Sequence, residues 1–154
     1  MASIVGENNA QWRTYVHYHH DNSIHELILP NVNSLNYTDN ILSFGPTPCH
    51  TSPVAAVGWG DLSDASIRVY YFTNESTVQE LVWSISGGWS VGMNLGDTIT
   101  NGISLYAQVR ATGTDLAELR VGYQSPSDPE TITESYYIPT EEKWGTRTYP
   151  SEMD

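Results

Sequence analysis

Two arginines and two glutamates stand at matching places in the middle and final thirds of the chain. Arg68, in Ile67-Arg68-Val69-Tyr70-Tyr71, is followed by Glu80 in Val78-Gln79-Glu80 and then by Trp83 and Trp89. Arg120, in Leu119-Arg120-Val121-Gly122-Tyr123, is followed by Glu134 in Ile132-Thr133-Glu134 and then by Tyr137 and Trp144. A guanidinium presents a planar fork of donors and a carboxylate presents acceptors. Held on neighbouring strands, the two can grip a vicinal diol, whose hydroxyls both donate and accept. An aromatic ring adds a flat apolar surface for the C–H face of a pyranose or for a C-methyl group. Arg, Glu and one or two rings are therefore a set of groups suited to recognising a sugar. Their recurrence at a period of roughly 50 residues is the pattern of propellers and related arrays.

The elements that must hold these residues read as strands. Ser52 to Val57, Ser66 to Phe72, Thr77 to Ser84 and Trp89 to Met93 are short β-favouring runs, parted by Gly60-Asp61-Leu62-Ser63-Asp64, Thr73-Asn74-Glu75-Ser76 and Ser86-Gly87-Gly88. The order repeats as Gly102 to Val109, Glu118 to Gln124, Thr131 to Ile138 and Trp144 to Tyr149. Evenly spaced short strands with such punctuation indicate an all-β sandwich, barrel or propeller, and no segment keeps a helical apolar period. A fainter unit precedes them, with Ala2 to Val5, Tyr15 to His19 and Ser23-Ile24-His25-Glu26 falling on its first three strands. The chain divides at about 1–52, 53–104 and 105–154, within a single domain. In a strand, alternate side chains share a face, so Arg68 and Tyr70 point one way while Ile67 and Val69 point the other. Three four-stranded units are too few to close a ring, since propellers typically have four to eight blades. A homodimer giving six is expected.

Composition narrows the partners. Eighteen acidic against six basic residues, net −12, argue against nucleic acid and against anionic membranes. No basic n-region or apolar h-region marks the first residues, no apolar run approaches transmembrane length, and the single cysteine, Cys49, suits a reducing compartment. A soluble, cytoplasmic protein is expected.

The runs Ser52-Pro53-Val54-Ala55-Ala56-Val57-Gly58-Trp59, Ile67 to Tyr71, Val78 to Trp83 and Gly88-Trp89-Ser90-Val91-Gly92 resemble the blade repeat of the fucose-binding β-propeller lectins. These are the orange-peel-mushroom-type lectins of fungi and their short bacterial relatives. The resemblance covers about two thirds of the chain and is poor over the first 52 residues. It implies an all-β propeller of four-stranded blades, three per chain, binding L-fucose on glycans or free fucosides. It also implies that each site lies between neighbouring blades, one giving Arg and Glu and the next giving the stacking rings. Carried over to this chain, Arg68 and Glu80 meet Tyr137 and Trp144, while Glu26 meets Trp83 and Trp89. At this second place the arginine is read as missing, with Tyr15 or Val16 where it should stand. A third set, Arg120 and Glu134, faces the partner chain's first unit near Leu29 and Tyr37 and finds no tryptophan there.

Other chemistry is less well supported. His17 and His19 share a strand face near His25 and Glu26, but nothing supplies a dedicated ligand set, so no metal or other cofactor is expected. No nucleophile elbow, phosphate loop or dinucleotide fingerprint is present, and Cys49 lacks a base partner beyond the adjacent His50. Glycoside hydrolysis needs two opposed carboxyls; one Glu per repeat favours binding, with no catalytic residue. Trp59, at a strand end before a turn, is read as structural. The rival reading is a lectin-like scaffold converted to an enzyme or small-molecule pocket, such as a cyclase or pericyclase. It rests on the missing first-unit arginine, the His-rich strand and ten tyrosines.

Overall fold

In this computed structural model residues 2–5, 11–31, 33–61 and 63–150 are described. Twelve strands and no helix make up these residues. They form three antiparallel four-stranded sheets in chain order. The first holds β1 (Ala2–Val5), β2 (Trp12–Tyr18), β3 (Ser23–Leu29) and β4 (Thr38–Leu42). The second holds β5 (Val54–Trp59), β6 (Ser66–Phe72), β7 (Thr77–Ser84) and β8 (Gly88–Asp97). The third holds β9 (Leu105–Thr112), β10 (Asp115–Ser125), β11 (Asp128–Ile138) and β12 (Lys143–Thr148). Each repeated unit is thus one meandering sheet. The first unit includes a fourth strand, β4, that the sequence pattern left unassigned because Thr38-Asp39-Asn40 is polar.

The second sheet lies between the other two, and its residues alternate between two cores. Ile67, Val69 and Tyr71 of β6 face the first sheet and pack with Val54, Leu81 and the first sheet's Tyr15, Ile24 and Leu42. Tyr70 and Phe72, on the opposite face, pack with Val57, Val78 and Leu95 and with Leu119, Val121 and Tyr123 of the third sheet. Burial on both faces explains why β6 reads as nearly continuous apolar residues rather than as a clean alternation. Each of these side chains contributes about 1.5–3 kcal/mol by leaving water. Strand β5 contacts both β1 and β9, so the first strands of the three units lie innermost.

Hydrogen bonds tie the sheets together between the cores. Tyr71 Oη donates to the Pro46 carbonyl (2.6 Å) in the connector from the first sheet, and Tyr123 Oη donates to the Leu95 carbonyl (2.7 Å) of the second. The hairpins joining second to third strands in the first two sheets close on residues at positive φ, Asn22 (53°) and Ser76 (58°).

Close packing inside the third sheet replaces a residue that the other sheets carry. Tyr15 and Tyr70 each stand opposite the glutamate of the next strand, but the matching position in β10 is Gly122. A Cβ there would lie 2.0 Å from the Tyr106 ring, which crosses over the glycine from β9. Gly122→Ala is therefore expected to destabilise the fold by about 1–3 kcal/mol, the usual cost of overpacking, as a lower urea midpoint at unchanged slope. An unchanged midpoint would show that Tyr106 does not occupy that space.

Candidate functional site

Each sheet buries one glutamate on its third strand. Glu26, Glu80 and Glu134 are 2%, 4% and 1% exposed. A carboxylate taken out of water is costly unless it is paired and hydrogen-bonded, so the donors around each define what the face can do.

In the first sheet, Glu26 Oε1 accepts hydrogen bonds from Tyr15 Oη (3.0 Å) and Arg13 Nη1 (2.7 Å), and Oε2 accepts one from Asn40 Nδ2 (3.3 Å). Arg13 is thus the arginine of the first unit. The expectation that it is missing, with Tyr15 or Val16 in its place, is corrected. Arg13 precedes Tyr15 by two residues as Arg68 precedes Tyr70, and Tyr15 and Tyr70 both oppose the glutamate in register. The same face of β2 then presents Arg13 and Tyr15 together.

In the second sheet, Glu80 Oε1 accepts a hydrogen bond from Tyr70 Oη (2.9 Å), with Arg68 Nε 3.5 Å away. The Met93 N–H donates to Oε2 (3.1 Å). This approach depends on Gly92, where a Cβ would lie 2.3 Å from the same oxygen. Burial pushes the Glu80 carboxyl above its ordinary range, outweighing the Met93, Tyr70 and Arg68 contacts. Burial, then the adjacent carboxylates, raises the Tyr15 and Tyr70 hydroxyls as well, so both remain donors at any ordinary pH.

Rings of the following sheet complete the first two faces. The Arg13 guanidinium carbon lies 4.6 Å from the Trp83 ring centroid, and Trp89 meets Tyr15 edge-on at 5.9 Å. Phe44, in the connector, flanks Trp89 at 6.2 Å. Glu26, Trp83 and Trp89 therefore converge, with Arg13 among them. At the second boundary, Tyr137 and Trp144 lie 5.5 Å apart and pack against the cluster that contains Tyr70, the residue bonded to Glu80. Arg68 extends over Trp59 of its own sheet at 4.9 Å. Trp59 is thus a partner of the site arginine, a role that its strand-end position did not signal.

Among the described residues, no further sheet packs on the third face. Glu134 accepts hydrogen bonds from Tyr106 Oη (3.2 Å), Tyr149 Oη (2.9 Å) and Arg147 Nη2. Arg120 Nε is 4.0 Å from Glu134, and its Nη2 is 3.3 Å from Glu118 instead. Arg120, Arg147, Tyr136 and Glu118 line an open groove of about 350 Å³. Burial tends to raise the Glu134 carboxyl, but the bonds from Tyr149, Arg147 and Tyr106 prevail and hold it below its ordinary range.

The histidines serve other contacts. His25 is bonded through both ring nitrogens, to Asp39 Oδ1 (2.7 Å) and Asp21 Oδ2 (2.8 Å). Burial works against its charge, but Asp39 and Asp21 together raise its pKa. His17 Nε2 is paired with Asn22 Oδ1 (2.9 Å), and burial lowers its pKa. Among the described residues, no three His, Cys, Asp or Glu side chains are arranged to hold a metal ion.

With this geometry in view, the relatives are informative. The profile described as fungal fucose-specific lectin matches residues 1–149. No curated protein matches the sequence. Among solved structures, the Aleuria aurantia lectin, a six-bladed β-propeller, aligns with a TM-score of 0.75 at 22% identity over 96% of this chain and 47% of its own. AofleA of Arthrobotrys oligospora aligns at 0.76 and 20% identity over 97% of this chain and 41% of its own. A fucose lectin of Kordia zhangzhouensis, solved with methyl-fucoside, aligns at 0.69 and 18% identity, covering 96% of this chain and 97% of its own. The fold is accordingly a run of three propeller blades, and the chain spans less than half of the two fungal proteins.

The His25 clamp has a pH signature. A histidine with a raised folded-state pKa stabilises the fold fully below its unfolded value, about 6.5, and loses that contribution as pH rises through the folded value. The melting temperature should fall as pH rises from about 6 into the alkaline range. His25→Gln should lack this component, and equal slopes in both proteins would contradict the clamp.

Proposed function

The chain belongs to the fungal fucose-specific lectin family, and from that premise we propose that it binds L-fucose-containing glycans at two sites within each chain. The first site is formed by Arg13 and Glu26 with Trp83 and Trp89. The second is formed by Arg68 and Glu80 with Tyr137 and Trp144. The observation that carries this reading is the first boundary, where a guanidinium, a buried carboxylate and two tryptophans meet across neighbouring blades. The arginine donates to sugar hydroxyls, the glutamate fixes the arginine and accepts from a hydroxyl, and the rings cover the apolar edge that carries the C-methyl. No bond is made or broken. The rival reading of a converted enzyme scaffold loses its main motive once Arg13 fills the place thought vacant.

Pairing of two chains into six blades belongs to the same proposal. The uncovered face of the first blade carries Trp12, Tyr37 and Ile41, exposed by 41%, 55% and 54%, beside the carboxylates of Asp21 and Asp39. The uncovered face of the third carries Arg120 and Arg147 among Tyr106, Tyr136 and Tyr149. Both faces carry exposed rings beside charged side chains, and a two-fold axis would bring each against the other twice. The assembly multiplies weak sites, which raises avidity without new contacts.

Titration calorimetry with methyl α-L-fucoside should detect binding. Arg13→Ala and Arg68→Ala should each weaken one site by about tenfold or more, since a hydrogen bond to a charged group is worth about 1.5–3 kcal/mol. Sedimentation should give twice 17.1 kDa. Absence of heat with the fucoside, or arginine variants that behave as wild type, would overturn the site assignment, and a monomer would overturn the pairing.

A further inference from the structure

We propose that Arg147 closes the third Arg–Glu face to neutral sugars, so that the assembly takes up fucose at two sites per chain rather than three. This inference rests on the lectin reading and on the pairing of two chains, since a neighbouring first blade must cover the face before it can bind.

Besides Gly122, which stands where the other sheets have a tyrosine, the three faces differ at the outer-strand residue opposite the buried glutamate. In the first blade this is Asn40, a neutral donor at 3.3 Å from Glu26. In the second the ladder is bulged, and Gly92 and the Met93 N–H stand there with no side chain between glutamate and arginine. In the third it is Arg147, whose guanidinium bonds to Glu134 Oε1. Oε1 is also the glutamate oxygen nearest to Arg13 in the first blade and to Arg68 in the second. Arg147 is held in place by Tyr136 and Tyr149, whose ring centroids lie 5.4 and 5.8 Å from its guanidinium carbon. Tyr136 in turn fits because position 145 is glycine, where a Cβ would come within 2.6 Å of its ring.

Arg120 has been displaced by this arrangement. It occupies the position of Arg13 and Arg68, two residues before the one opposite the glutamate, yet stands 4.0 Å from Glu134 and 3.3 Å from Glu118. Gripping a diol needs a donor and an acceptor side by side with capacity to spare. Here the acceptor is taken by a second cation. In the first blade the guanidinium on the glutamate is that of the Arg-x-Tyr position itself, whose remaining donors stay open to a sugar, whereas here it is Arg147, held by a charge-assisted bond, and Arg120 is turned to Glu118. The face keeps its arginine and glutamate in sequence but no longer presents them as a pair.

Arg147→Gly, which restores the residue of the second blade, and Arg147→Asn, which restores that of the first, test the inference. Tyr106 and Tyr149 still donate to Glu134 in both variants and Arg120 stands 4.0 Å from it, so both are expected to fold. Calorimetry with methyl α-L-fucoside should give two binding events per chain in the wild type and three in each variant. The added event should be the weakest, because the neighbouring first blade offers Leu29 and Tyr37 instead of tryptophans. Three events in the wild type, or two in both variants, would overturn the role of Arg147. Wild type that binds no fucoside would bring down the lectin reading beneath it, and a monomer would bring down the pairing; each result also ends this inference, and the three are distinguishable.

Discussion

A carboxylate buried in the middle of a sheet imposes conditions on everything around it, and this protein buries one in each of its three sheets. Glu26, Glu80 and Glu134 each need several donors, because a buried charge without partners costs several kcal/mol. The second strand must place a hydroxyl directly opposite, or, as at Gly122, leave room for one to arrive from elsewhere. The outer strand must supply a further donor, from Asn40, from the backbone of Met93, or from Arg147 with Tyr149. A nearby guanidinium balances the charge. Meeting these conditions creates a fixed donor–acceptor pair beside the next sheet, which is the prerequisite for holding a diol without reorganisation on binding.

The middle blade carries these groups to two boundaries. Its two faces alternate residue by residue, so Ile67 and Val69 pack against the first blade while Arg68 and Tyr70 face the third. One strand therefore supplies core to one boundary and Arg68 with Tyr70 to the other, and β7 and β8 add Trp83 and Trp89 to the first. The two boundaries share a plan but differ in how the arginine is held. Arg13 is bonded directly to Glu26 and stacked on Trp83, whereas Arg68 leans on Trp59 and stays 3.5 Å from Glu80. The carboxyls differ accordingly, with Glu80 raised by burial and Glu134 lowered by its donors.

Much of this was legible in the sequence. β6 and β7 fall where the β-favouring runs place them, Ser66–Phe72 and Thr77–Ser84. The pairing of Glu26 with Trp83 and Trp89 across a boundary is what the resemblance to the lectin blade repeat implied. Arg13 escaped because a shift of 53 or 52 residues back from Arg68 lands on Tyr15 or Val16, whereas Arg13 precedes Arg68 by 55. Register anchored on Arg-x-Tyr opposite Glu would have found it. Tyr106, Arg147 and Trp59 were hidden for a different reason. Each reaches its site from another strand of the same sheet, and such convergence depends on pairing and rotamer rather than on spacing along the chain.

The central claim is that sugar binds between blades, with the charged pair of one and the rings of the next. A crystal of the protein soaked with methyl α-L-fucoside tests it most directly. The account predicts one fucoside between Arg13–Glu26 and Trp83–Trp89 and another between Arg68–Glu80 and Tyr137–Trp144, with the C-methyl against a ring in both. Fucoside bound away from these boundaries, or boundaries left without sugar at saturating concentration, would contradict it.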